Sequence, residues 1–283
     1  MKILRVFPAR TSYTPTDEMA FVGDPPLWVT EASMRPPADE VHVSVTFTWD
    51  KEEGRRLQEA WAQYYPIVKI GGPAFGSPAS EFDVGMYVKL GVTFTSRGCN
   101  SRCRWCLVPG REGLLRELHW FPDGYIINDN NFLQTSAQHR VEVYRMLREQ
   151  PKPALFAGGL QPSLITAEIA IELRSIRIEE VFLAADTAVA LRPLEKAVKH
   201  LQWIPPHDLR CYVLIGFDGE TIEQAEKRLE AVWQIGCLPF AQLYQPPAER
   251  KIEYSSEWQD LNRKWSRPAI TKAIHSKAGI RET

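Results

Sequence analysis

The sequence predicts an α/β protein in which a partial (β/α)6 barrel follows a small α/β unit. Short apolar runs alternate along the chain with amphipathic helical patterns, the order expected for parallel strands joined by crossover helices. The turns after these runs carry polar or glycine residues that can face one common mouth, which favours a barrel over a flat sheet. With 283 residues, 44% of them apolar, the chain is long enough to bury a sizeable core.

The first 90 residues predict a strand–helix–strand unit of a parallel sheet. Strands are expected at 3–7 and 41–47, separated by a proline-rich polar stretch. A helix then begins at Asp50, a suitable N-cap, and stops at Pro66. The segment IVKIGGPAFG (67–76) follows as a strand with a Gly-Gly-Pro turn, and a right-handed crossover is expected.

Six further strands are predicted beyond residue 90, at VTFT (92–95), YIIN (125–128), ALFA (154–157), VFLAA (181–185), CYVLIG (211–216) and FAQLY (240–244). The helical patterns between them are long enough to cross over between parallel strands. A last helical pattern, SSEWQDLNRKW, and a basic tail follow. The expected organisation is therefore 1–90 for the first unit, 91–250 for the barrel and 251–283 for a C-terminal helical tail.

Composition and charge indicate which partners, location and cysteine chemistry to expect. Lys plus Arg (34) nearly balance Asp plus Glu (35), which gives no global electrostatic reason to expect a nucleic acid or a membrane as partner. The amino terminus has no apolar segment of signal-peptide or membrane-spanning length, so a cytoplasmic location is expected. Five cysteines, an odd number with three in one cluster, indicate thiols or metal ligands rather than disulfides.

Three cysteines lie within eight residues of one loop: Cys99, Cys103 and Cys106. Their C-x3-C-x2-C spacing lets three thiolates share a metal or cluster and leaves one valence open. Structural zinc needs four ligands, and neither His119 nor Cys211 stands at the usual spacing. A ferredoxin-type cluster needs a fourth cysteine, and Cys237 has no companion pattern. An open iron site is favoured, with structural zinc as the alternative.

The form C-x3-C-x-Φ-C of CNSRCRWC, with Trp105 as the aromatic residue, resembles the signature of the radical S-adenosylmethionine (SAM) superfamily. The resemblance implies a [4Fe–4S] cluster on the three cysteines, with SAM chelating the open iron, inside a partial (β/α)6 barrel. It also implies reductive cleavage of SAM to a 5′-deoxyadenosyl radical, which abstracts hydrogen from a C–H bond of a substrate that the sequence does not identify. A flavodoxin- or ferredoxin-type reductant is the implied partner.

Two segments, TSRGCNSRCRWCLVPGREG and YVLIGFDGETIEQAEKRL, are similar to the cobalamin-binding and methylthiotransferase branches of that superfamily. The segments VHVSVTF and VKIGGPAF resemble the end of a cobalamin-binding Rossmann domain, so the first unit is expected to be Rossmann-like and cobalamin is a candidate further cofactor. The chain lacks the D-x-H-x-x-G motif of histidine-ligated cobalamin domains. No cysteine precedes Cys99 and the part after Tyr244 is short and helical in pattern, so tRNA methylthiolation is not expected.

The resemblance also implies candidate SAM contacts: Trp105, Asn128, Asp129, Asn130, Asp186, Gly216 and Phe217. Asp129 would accept from the SAM ammonium group and Asp186 from the ribose hydroxyls. Gly216 would let the backbone approach the adenine, against which Trp105 would lie.

Simpler interpretations compete with these assignments. Asp and Asn favour strand ends in any protein, Asp186 is a suitable helix cap, and Glu220 suits the first turn of its helix. The arginines of the cysteine loop either attract an anion or pair with acids such as Glu112. Two other functions stay open: a cobalamin-assisted radical methyltransferase, and a non-catalytic zinc or iron module that binds nucleic acid.

Overall fold

The computed structural model describes residues 1–76, 86–246, 248 and 250–279. The chain divides into two compact units, one formed by Met1–Val92 with Pro246–Lys251 and the other by Thr93–Gln245 with Ile252–Thr283. The predicted boundary at residue 90 lies beside this division. Nearly all of the predicted tail, 251–283, is grouped with the second unit, and its residues 280–283 lie outside the described part of the chain.

The first unit contains a parallel sheet of four strands in the order β2-β1-β3-β4. Its elements are β1 (Ile3–Phe7), β2 (Ala20–Val22), α1 (Leu27–Thr30), β3 (Glu40–Ser44), α2 (Lys51–Ala62) and β4 (Val68–Gly71). The predicted strand–helix–strand unit is confirmed as β3, α2 and β4. Neither β2 nor α1 was predicted, because both are short and lie in the proline-rich stretch, where no hydrophobic period is visible.

Helix α2 packs on the sheet through one apolar stripe. Leu57 and Trp61 are fully buried and lie four residues apart, as one face of a helix requires. They share a core with Val41 and Val43 of β3. The Trp61 indole donates to the Gly23 carbonyl at 3.1 Å, so its polar atom is satisfied inside this core.

A distant segment of the chain completes the first unit. The Thr48 hydroxyl donates to the Ala248 carbonyl at 2.8 Å, and the Lys251 ammonium lies 5.0 Å from the centre of the Trp49 ring. The chain therefore leaves the second unit after residue 245, contributes a short stretch to the first, and returns at residue 252.

The second unit alternates strands and helices along most of its length. Its elements are β5 (Val92–Thr93), β6 (Ser96–Arg97), α3 (Val108–Glu112), β7 (Arg116–Glu117), β8 (Ile126–Ile127), α4 (Ala137–Glu149), β9 (Ala154–Leu160), α5 (Ala167–Arg174), β10 (Ile178–Ala184), α6 (Leu191–His200), β11 (Leu209–Ile215), α7 (Ile222–Ile235), β12 (Leu238–Leu243), α8 (Ser256–Ser266) and α9 (Pro268–Gly279).

Six of these strands form one sheet in the order β12-β11-β10-β9-β8-β5, parallel at every register that joins β8 to β12. Alternate residues of β11, from Leu209 to Ile215, are buried and share a core with the helices. The predicted α/β class is confirmed. The described end strands β5 and β12 are not paired with each other, so closure into a partial barrel stays a prediction.

All six predicted strands of this unit are present, but β5 and β8 are shorter than expected, with two residues each. The chain turns away after Thr93 to form the antiparallel hairpin of β6 and β7, which was not predicted. The residues VTFT (92–95) all favour a strand, so the sequence does not show that the chain leaves the large sheet after Thr93 and pairs with another strand from Ser96 onwards.

The end of the unit is helical. Helix α8 was predicted and packs by Leu261 and Trp265, and α9 lies within the tail that was expected to be helical. The His275 ring stacks 4.2 Å from the Trp233 ring and bonds Glu230 at 3.1 Å, which fastens α9 to α7. Among the described residues, no helix is both long and apolar enough to cross a bilayer.

Candidate metal centre

The cysteine loop leaves the sheet after β5 and runs between β6 and α3. Its base is closed by a bond from the Cys99 amide to the Gly113 carbonyl, at 3.2 Å. Gly98 makes this closure possible: its φ is +78°, and a Cβ there would lie 2.1 Å from the Leu114 carbonyl oxygen. The Cys106 amide donates to the Cys103 carbonyl at 3.1 Å, a turn that brings the second and third cysteines together.

The three thiols are free and differ in exposure: Cys99 is buried, whereas Cys103 and Cys106 are exposed. Desolvation by the surrounding chain raises the pKa of Cys103 and of Cys106; Cys106 and Cys99 raise that of Cys103 further, and Cys99 raises that of Cys106. Each of the three pairs is thus close enough to interact electrostatically. The Asp186 carboxylate acts on Cys103 and Cys106 in the same direction, which places it beside the loop.

Backbone donors already point at two of the sulfurs. The Ser101 amide donates to Cys99 Sγ at 3.4 Å, and the Val108 amide donates to the Cys106 sulfur, which opposes the rise of its pKa. Such N–H···S bonds surround the thiolates of iron–sulfur clusters and help to set their potentials.

In the part of the chain that the structure describes, no three His, Cys, Asp or Glu side chains converge closely enough to hold a single metal ion. An iron–sulfur cube makes a different demand, because it binds each thiolate through a separate iron and the sulfurs need not meet at one point. The donor set of the loop, three neighbouring thiols with amide donors to two of them, fits such a group.

The other candidate ligands considered from the sequence lie elsewhere. Cys211 and Cys237 are buried in the main core of the second unit, where desolvation raises the pKa of Cys237 to about 12 and that of Cys211 well above its ordinary value. Both therefore behave as apolar core residues. His119 is exposed, outside β7.

Asp129 lies after β8 and is 1% exposed. Its carboxylate accepts from the Thr95 amide and hydroxyl, both at 2.6 Å, and from the Ser96 hydroxyl at 2.7 Å. Burial raises its pKa despite these bonds. The described contacts of Asp129 thus tie β8 to the chain that leads into the cysteine loop, and its predicted contact to the SAM ammonium group stays a prediction.

The two neighbours of Asp129 also hold backbone. The Asn128 amide donates to the Thr93 carbonyl at 3.0 Å, and Asn130 Oδ1 accepts from the Gly98 amide at 3.0 Å. Asn130 therefore positions the residue that precedes Cys99.

Asp186 and Trp105 lie together. The Trp105 side chain donates a hydrogen bond to the Asp186 carboxylate, which also accepts from the Leu214 amide at 2.9 Å. Burial raises the pKa of Asp186 in spite of both bonds. The motif resemblance implies separate roles for these residues, Asp186 against ribose and Trp105 against adenine; the structure joins the two side chains by a hydrogen bond.

The loop after β11 meets the cysteine loop. The Phe217 ring lies 5.6 Å from the Trp105 ring, edge to face, and Arg104 Nη1 contacts Asp218 at 2.8 Å. Gly216 has a φ of +75°, and a Cβ there would lie 2.8 Å from the ring of Tyr254. Tyr254 is thus the described neighbour of Gly216, and the approach of the Gly216 backbone to adenine stays a prediction.

Glu220 was expected in the first turn of α7, but it lies before the N-cap Thr221. It accepts from the Gly216 amide at 3.1 Å and pairs with Arg228, so it fastens the loop. Arg97 pairs with Glu112, as the simpler interpretation of the loop arginines predicts.

A group of side-chain amides around Cys99 was not predicted from the sequence: Asn131, Gln134 and Gln161. Asn131 Nδ2 lies 3.8 Å from Cys99 Sγ. Its Oδ1 is buried and, within the described residues, has no hydrogen-bond partner. The three residues come from the ends of two strands and form no local pattern, so only their approach in the fold reveals them.

Neither of two comparisons finds a relative: no protein-family model matches the chain, and no curated protein matches it.

Proposed function

We propose that the protein is a radical SAM enzyme whose [4Fe–4S] cluster is held by Cys99, Cys103 and Cys106. The observation that carries this proposal is the set of three free thiols on one loop, which is closed at its base by the Cys99 amide and joins Cys103 to Cys106 in one turn. When bound, the cluster and SAM supply one-electron cleavage of the sulfonium and a carbon radical that takes hydrogen from a C–H bond. The cluster needs an electron for each cleavage, so a flavodoxin- or ferredoxin-type protein is the proposed partner.

The loop of this chain would hold the cluster through its three thiolates and stabilise their charge with the Ser101 and Val108 amides. SAM also needs an acceptor for its ammonium group. Asp129 already accepts three hydrogen bonds, whereas Asn131 Oδ1 is a buried acceptor without a partner among the described residues. A buried acceptor left unpaired is costly, and a bound ammonium group would satisfy it.

The adenosine part of SAM would lie where Trp105, Asp186 and Phe217 meet. Trp105 and Phe217 supply apolar ring surface, and Asp186 supplies a carboxylate whose oxygens accept from defined donors. The exposed ion pair of Arg104 with Asp218 joins the cysteine loop to the loop after β11.

The test is anaerobic reconstitution with iron and sulfide, followed by reduction and addition of SAM. We expect about four irons per chain, an electron paramagnetic resonance signal that changes when SAM binds, and release of 5′-deoxyadenosine. Serine at any of the three loop cysteines should reduce the iron content strongly, while Cys237→Ser, the matched change in the core, should retain it. Stoichiometric zinc without SAM cleavage, or full iron content in all three loop variants, would reject the proposal.

A further inference from the structure

Three side-chain amides form a continuous hydrogen-bonded relay beside Cys99. Gln134 Oε1 accepts from the backbone amide of Asn100 at 2.8 Å. Gln134 Nε2 then donates to Gln161 Oε1 at 3.3 Å, and Asn131 Nδ2 donates to the same oxygen at 2.8 Å. The relay ends at Cys99 Sγ, 3.8 Å from Asn131 Nδ2.

The direction of this relay follows from its first bond. A backbone N–H can only donate, so the end of Gln134 that faces Asn100 must be the oxygen and the other end the nitrogen. Gln161 must then present its oxygen to that nitrogen. Asn131 must in turn present its nitrogen to Gln161, because an Asn131 oxygen placed 2.8 Å from Gln161 Oε1 would meet a second acceptor and make no hydrogen bond there.

The remaining hydrogen of Asn131 Nδ2 points to Cys99 Sγ. Asn131 is only 7% exposed, and Ser101 closes the relay: its hydroxyl accepts from Gln134 Nε2 at 3.0 Å, and its amide donates to the same sulfur. Cys99 is thereby distinguished from Cys103 and Cys106, which are exposed.

The geometry points to Asn131 as a positioning residue that sets the reduction potential of the cluster through Cys99, with its orientation imposed by Gln134 and Gln161. This inference rests on the proposed function. A hydrogen bond to a cluster sulfur stabilises negative charge, and the reduced cluster carries one more negative charge than the oxidised one. The N–H of Asn131 therefore favours the reduced form.

The test measures the potential of the reconstituted cluster by anaerobic redox titration. Asn131→Leu keeps the volume of the side chain and removes the donor. We expect the reduced-to-oxidised ratio at a fixed solution potential to fall about fivefold, which corresponds to roughly 40 mV for one electron. Gln134→Glu keeps the acceptor for Asn100 and removes the donor to Gln161, so it should shift the potential in the same direction.

A matched pair of neutral changes separates loss of this bond from loss of any amide near the loop. Asn130→Leu and Asn131→Leu each remove a side-chain amide without adding charge, and the described hydrogen bond of the Asn130 side chain is accepted by its oxygen from Gly98. Asn131→Leu should lower the potential clearly more than Asn130→Leu. Equal shifts in these two variants, or an unchanged potential in Asn131→Leu, would overturn the inference.

Failure of the proposed function is a separate result, because the parent protein would then assemble no four-iron cluster. The relay can be examined without iron. In the iron-free protein, the side-chain NH₂ signals of Asn131 and Gln134 should exchange slowly with solvent in NMR spectra, and Gln134→Glu should accelerate the exchange of Asn131. Rapid exchange of Asn131 in the parent would contradict the relay itself.

Discussion

Replacing Arg228 by methionine should strongly destabilise the second unit. Both Nη atoms of Arg228 bond the Glu220 carboxylate, and Nη2 also donates to the Leu214 carbonyl at 2.5 Å. Each side chain of the pair is only 11% exposed. Arg228→Met would leave the Glu220 carboxylate buried without its counter-ion, and breaking a pair of this kind costs about 3–5 kcal/mol.

The matched control is the pair of Arg140 with Glu172, which also has two hydrogen bonds, here from Nε and Nη2 of the arginine. Arg140 is also 11% exposed, but Glu172 is 30% exposed, so water can solvate the carboxylate that remains. We therefore expect a smaller loss, about 1 kcal/mol, for Arg140→Met.

The assay is urea unfolding of the parent, Arg228→Met, Glu220→Gln and the double variant, followed by circular dichroism. Glu220→Gln keeps an acceptor for the Gly216 amide, so the double variant should recover about 2 kcal/mol relative to the sum of the single changes. If the two changes were additive, or if Arg228→Met cost no more than Arg140→Met, the pair would not be a buried, coupled unit and the reasoning would be refuted.

Three further results are expected. Because burial raises the pKa of Asp186 in the folded state, ionisation of this carboxyl opposes folding at neutral pH. Asp186→Asn should therefore stabilise the protein at pH 7, and the gain in stability should shrink as the pH falls towards the pKa of the unfolded state. A gain in the urea midpoint that does not change with pH would contradict this. Since the pKa of Cys103 and of Cys106 is raised, iodoacetamide should alkylate both thiols of the iron-free protein with pH midpoints above that of a free thiol. Mass spectrometry measures the extent of alkylation at each pH, and a midpoint at or below that of a free thiol would be inconsistent with the loop geometry. Tyr254→Phe removes the bond to the Tyr244 carbonyl at 2.8 Å and should cost about 1 kcal/mol in thermal or urea unfolding, while Gly216→Ala should cost more because its Cβ would enter the Tyr254 ring; the reverse order would exclude this packing.

The regular spacing of hydrophobic residues made much of the fold predictable. The strands β9 to β12 and the helices between them carry long regular patterns, and burial of one face enforces the element that the pattern indicates. The short strands were not predicted: β2 and β7 have three and two residues, too few for a hydrophobic period to be recognised.

The candidate site was predictable only where one short motif carried it. The cysteines could be selected from spacing alone, and Asp186 and Trp105 from their strand end and motif. Their mutual hydrogen bond depends on the approach of two loops more than 80 positions apart, which no local pattern encodes. The described bonds of Asp129 to Thr95 and Ser96, 34 and 33 positions away, are likewise not encoded in any local pattern.

The return of the chain to the first unit at residues 246–251 affects the order of events during biosynthesis. Thr48 and Trp49 emerge from the ribosome early, but their partners Ala248 and Lys251 are made only after all the described strands of the second unit. At translation rates of about 5–20 residues per second, the amino-terminal unit waits roughly 10–30 s for its last segment. A nascent chain arrested before residue 246 should therefore be more sensitive to protease in its first 92 residues than one released at full length.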